Sequence, residues 1–115
     1  MINKKELKDQ YKQMKPDMGI FMFKCVTSGK VYLGKSQNIK ANINSIMFQL
    51  NIGQYYRNAN LQSDWKNYGE SNFEISILEL LKYDKDEAKT DYSDDLKILR
   101  DLCSKNFDNF EFIIN

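Results

Sequence analysis

The 115-residue chain contains no histidine. Serine and cysteine triads of the usual kind are therefore excluded, because each needs an imidazole as its base. Cysteine is nearly as scarce. Cys25 and Cys103 lie far apart without CxxC spacing, which indicates neither a zinc site nor a disulfide framework. Buried free thiols in a reducing compartment are the expected reading. Apolar runs are short, so no membrane span is expected, and the Lys-rich start lacks the apolar centre of a signal peptide. A cytoplasmic protein with no membrane partner follows. There is one proline, Pro16, and no linker, low-complexity tract or repeat. One compact domain over residues 1–115 is expected.

Charge is balanced overall and uneven locally. The formal net charge is +1. Residues 1–83 carry 12 Lys and Arg against 7 Asp and Glu, a balance of +5, and residues 84–115 carry 5 against 9, a balance of −4. A mildly basic body is compatible with phosphate contacts and equally with an ordinary solvated surface. The acidic end is compatible with imitation of nucleic-acid phosphates and with a solvated helix face.

Periodicity supplies the elements. Leu7, Tyr11 and Met14 recur at helical spacing over residues 3–14, and Pro16 ends that helix. Ile20–Val26 and Lys30–Leu33 are β-prone runs joined by Thr27, Ser28 and Gly29, a hairpin signature. A helix is predicted over Gln37–Ile52, with Ser36 as N-cap and Gly53 as stop. Its core stripe is Ile39, Ile43, Ile46, Met47 and Leu50. A second stripe of Ala41, Ser45, Phe48 and Ile52 runs along the other side. It suits a protein interface, including one between two copies, or burial beneath the C-terminal segment. A short helix follows over Asn60–Tyr68, with Leu61, Trp65 and Tyr68 inward. Phe73–Leu81 reads as a central strand. A long last helix over Asp86–Lys105 carries Tyr92, Leu96, Leu99 and Cys103. The apolar end, Phe107–Ile114, packs or adds a strand.

Two blocks of residues resemble the GIY-YIG nuclease family, in particular phage and intron members. Gly19-Ile20-Phe21 stands where the family has GIY, and Tyr32-Leu33-Gly34 where it has YIG. The second block, LQSDWKNYGESNFEISILE from Leu61 to Glu79, follows after an amphipathic helix of suitable length. The match spans residues 19–83. It implies an α/β domain with a small three-stranded antiparallel sheet flanked by helices. Residues 1–18 would add an N-terminal helix and residues 84–115 an acidic helical or strand extension. Ile43, Trp65, Phe73 and Ile77 are expected in the core.

The resemblance also implies metal-dependent phosphodiester hydrolysis. Family members use two hairpin tyrosines, an Arg that stabilises transition-state charge, often a His one turn later, and a metal-binding Glu. Carried onto this chain, Tyr32 alone is intact. Phe21 replaces the first tyrosine and lacks its hydroxyl. Asn42 stands for the Arg without a positive charge, and Ile46 stands for the His. The Glu position falls on Tyr92, or on Asp91 if the count shifts by one. No catalytic set, metal site or cofactor is assigned. Lys35, Lys40 and Arg57 are the candidate nucleic-acid contacts, interleaved with Tyr32, Tyr55 and Tyr56.

These residues point to a catalytically inactive GIY-YIG-like protein that works by binding. A protein partner in nucleic-acid processing or defence is the first expectation, with an origin on a phage or mobile element. A residual DNA- or RNA-binding module, and a diverged metal-dependent endonuclease, are the alternatives.

Overall fold

A computed structural model describes residues 15–113 of the chain. The helix expected over residues 3–14 lies outside the described residues. The elements are β1 (Met18–Cys25), β2 (Val31–Ser36), α1 (Ile39–Asn51), α2 (Ala59–Tyr68), a 3-10 turn (Glu70–Asn72), β3 (Phe73–Leu81), α3 (Ser93–Ser104) and β4 (Phe110–Phe112). No helix among the described residues is long and apolar enough to cross a membrane.

The sheet has four strands in the order β3-β1-β2-β4. This corrects the three-stranded antiparallel expectation. β1 pairs antiparallel with both β2 and β3, whereas β4 runs parallel to β2. The apolar C-terminal run joins because β2 would otherwise be an open edge. The Val31 amide donates to the Asn109 carbonyl at 3.0 Å and the Ile113 amide to the Leu33 carbonyl at 2.7 Å. Lys30 and Glu111 close the same edge with an ion pair at 2.6 Å. β3 is accordingly an edge strand and not a central one.

The principal core covers one face of β1 and β2. Ile39, Ile46 and Leu50 of α1 and Leu61 and Trp65 of α2 meet Phe21, Phe23, Cys25 and Tyr32 there, with Ile113 from beyond β4. Aromatic rings line up through this layer. Trp65 lies 6.2 Å from Phe23 and 4.9 Å from Phe73, between ring centroids. The Trp65 indole nitrogen donates to Asn51 Oδ1 at 2.9 Å, fixing α2 to the end of α1. Ile43 is partly buried. Ile77 was expected inside and is 47% exposed. It pairs with Phe21 on the edge strand, beyond the cover that α1 gives to the two central strands. Tyr68, read as inward, is likewise exposed. On the other face, Met18 packs with Tyr92, Leu96 and Leu81. Cys25 is buried and Cys103 half-buried, both as free thiols.

Helix limits shift where side chains offer better caps. α1 begins after Asn38, whose side chain accepts from the Ala41 amide, and not after Ser36, which ends β2. The last helix is shorter than expected and starts at Ser93. Residues 84–92 instead form local turns. In these the Asp84 and Asp86 carboxylates accept backbone amides two residues ahead, the competition with helix that short acidic side chains impose.

Both glycines of the hairpin motif are places of close approach. A Cβ on Gly19 would strike the Glu79 carbonyl oxygen of β3, and one on Gly34 would fall within the Phe21 ring. Phe21 is fully buried, so its ring has nowhere to retreat. Gly34→Ala is expected to destabilise the fold by about 1–3 kcal/mol, as for an overpacked core. Chemical denaturation of the variant checks this.

Candidate functional site

β1 and β2 place Phe21, Phe23, Tyr32 and Gly34 on the face beneath α1 and α2 through a register that pairs Phe21 with Gly34 and Phe23 with Tyr32. The Phe21 and Phe23 rings meet edge to face, 6.1 Å between centroids. Phe21 thus fills its position with a ring that carries no proton.

Tyr32 keeps its hydroxyl but is fully buried. That hydroxyl donates a short hydrogen bond to Asp64 Oδ2 on α2. Burial, and then the bond to Asp64, push the phenol far above its ordinary range. The Lys30 ammonium sits 5.2 Å from the ring centroid, yet it is engaged with Glu111. Asn60 also donates to that carboxylate at 3.0 and 3.1 Å. The hydrogen bond from Lys30 is the main reason the Glu111 carboxyl is held below its usual range. Asp64 is absent from the candidates read in the sequence. Its signal there is faint, an acid one residue before the inward Trp65.

Asn42, at the Arg position, has its amide turned back on the backbone. It donates a short hydrogen bond to Ser36 Oγ and a 3.2 Å bond to the Asn38 carbonyl. Ile46, at the His position, is 5% exposed and belongs to the core. Tyr92, at the Glu position, is buried, and its hydroxyl accepts from the Asp84 amide at 2.9 Å. Asp91 is exposed and accepts from the Ser93 amide and hydroxyl at 3.0 and 2.6 Å. These bonds from Ser93 lower its carboxyl and commit it to the start of α3. Among the described residues, no group of three or more His, Cys, Asp or Glu side chains is placed to hold a metal.

Charge along one stretch of the sequence has one sign. Between Met18 and Ser63 there is no Asp or Glu, against Lys24, Lys30, Lys35, Lys40 and Arg57. Lys40 borders a cleft of about 510 Å³ with Lys15, the acidic Asp17, Asn38, Asn44 and the apolar Ile43 and Ile77. Lys35 and Arg57 are not among its described lining residues, so the three basic candidates do not share one pocket. Arg57 is exposed on the connection between α1 and α2, beside exposed Tyr56. Ala41, Ser45, Phe48 and Ile52 are all exposed, Phe48 at 65% and Ile52 at 49%. The C-terminal segment does not cover them, since it packs along β2 instead.

Two solved structures are similar to this chain in fold. One is the catalytic domain of the homing endonuclease I-TevI, with a TM-score of 0.66 at 24% identity, covering 85% of this chain and 99% of that one. The other is a point mutant of the catalytic domain of the intron endonuclease I-TevI, with a TM-score of 0.61 at 24% identity, covering 78% and 82%. The chain has a GIY-YIG-like fold. No family model and no curated protein matches the sequence.

The Tyr32 contact has a pH signature. Its raised folded-state pKa stabilises the protein fully below about pH 10, where an unfolded tyrosine is still protonated. Above that, the unfolded chain loses a proton that the folded chain retains, so stability falls. Tyr32→Phe is expected to cost about 1 kcal/mol at neutral pH and to make the alkaline decline shallower. Urea denaturation across pH checks both.

Proposed function

We propose that this chain is a non-catalytic domain on a GIY-YIG-like scaffold that acts by binding another protein. The single observation that carries this reading is the state of Tyr32. The one hydroxyl left of the family's reactive set is buried and donated to Asp64, out of reach of a phosphodiester in solvent. Its neighbours support the same reading. Asn42 brings no charge where the transition state would need it and is bonded to Ser36, while Ile46 is core. Parts of such a site act as a unit, so these losses compound.

Binding fits the outer surface of the same elements. The exposed side of α1 offers Phe48 and Ile52 with one charged residue, Lys40. Depletion of charge around an exposed aromatic is the composition of a protein interface more than of a solvated helix. A target in nucleic-acid processing or host defence, and an origin on a phage or mobile element, belong to the same proposal. They rest on the fold and on the Asn-, Lys- and Ile-rich composition.

A second reading has its own observation. The acid-free stretch from Met18 to Ser63 carries five basic residues, which would suit a retained nucleic-acid surface. Binding of that kind weakens steeply with salt, in proportion to the phosphates neutralised.

With magnesium or manganese, the protein is expected to leave duplex and single-stranded DNA uncut. Metal-dependent cleavage that disappears in Tyr32→Phe would overturn the proposal. Fluorescence anisotropy with labelled DNA across a salt series separates the two binding readings. Affinity with a steep salt slope supports the nucleic-acid surface, and none at moderate salt supports the protein partner.

A further inference from the structure

We propose, resting on the protein-binding reading of the solvent face of α1, that its partner there is a second copy of this chain, held by antiparallel packing of the two α1 helices. Ala41, Asn44, Ser45, Phe48, Asn51 and Ile52 occupy that face and all are exposed. No acid occurs anywhere on α1, and Lys40 is its one charged side chain. An isolated surface helix normally keeps soluble through ion pairs along its outer face. This one presents amides, two small residues and two large apolar ones.

The order of those residues tells what covers them. Small side chains lie toward the start of the helix, at Ala41 and Ser45, and bulky ones toward its end, at Phe48 and Ile52. Set a second α1 antiparallel, with the two-fold axis passing between Ile46 and Met47. Ser45 of one copy then faces Phe48 of the other, and Ala41 faces Ile52. Each bulky group meets a small one twice over, because a two-fold interface repeats every contact. That is the knob-and-groove complementarity by which helices pack. Lys40 falls opposite Gly53, so no like charges are opposed. A parallel arrangement would instead set Phe48 against Phe48 and leave both small positions empty.

Neighbouring groups extend the contact. Tyr56, 83% exposed, and Arg57 lie just past the end of α1, and both residue types are enriched among interface residues. The C-terminal strand is committed to the far edge of the sheet beside β2, so among the described residues it does not cover the α1 face.

Sedimentation velocity on the full chain over a range of concentrations tests this independently of any cleavage or DNA-binding assay. A monomer–dimer equilibrium is expected. Phe48→Asp and Ser45→Arg should each raise the dissociation constant at least about tenfold. Both positions are exposed, so circular dichroism should be unchanged. Ile98→Asp, at a residue 61% exposed on α3, should leave the equilibrium as it is. A monomer at every concentration would overturn the inference and leave the face to a different protein. So would a dimer that survives either α1 substitution, or one that Ile98→Asp dissolves.

Discussion

Phe21 rests on Gly34, and the rest of the domain is arranged around that contact. The hairpin register pairs these two residues, and no Cβ fits between them. With the tip of the ring held over Gly34, Phe23 and Tyr32 form the next step of the same layer, and Trp65 and Phe73 extend it outward. α1 and α2 close over this surface with aliphatic side chains. Densely packed interiors tolerate little change in volume, so this contact also limits which side chains the pocket positions can hold.

The same layer is what the proposed non-catalytic reading draws on. Phosphoryl transfer needs charge delivered to atoms that touch solvent-borne substrate. Here each corresponding position has been turned to internal use. Phe21 is packing, Ile46 is core, Asn42 holds the junction between β2 and α1 through Ser36, and Tyr32 joins β2 to α2 through Asp64. Outer surfaces are then where the domain has side chains to spare. Exposed Lys40, Phe48 and Arg57 lie on those surfaces.

Much of this was legible in the residues themselves. Alternation and a glycine turn located the hairpin, and the stripe of Ile39, Ile46 and Leu50 located the core face of α1, because local periodicity reports burial directly. Phe73–Leu81 was legible to the residue. What failed depended on distant partners. Nothing local tells that β3 lies at the edge, so Ile77 read as core. Parallel pairing of β4 with β2, like the Lys30–Glu111 ion pair beside it, joins residues far apart in the sequence. The turns at residues 84–92 arise from aspartates that compete for backbone amides, which an apolar stripe does not register. Asp64 was invisible as the partner of Tyr32 because that pair spans two elements joined only in the folded state.

The central claim is that Tyr32 is sealed from reactive use by Asp64. NMR of the protein with its tyrosines labelled at the carbon bearing the hydroxyl measures this directly, since that resonance moves when the phenol ionises. The account predicts no ionisation of Tyr32 before the protein unfolds at alkaline pH. A Tyr32 resonance that titrates in the folded protein at or below about pH 10, the range of a free tyrosine, would contradict it.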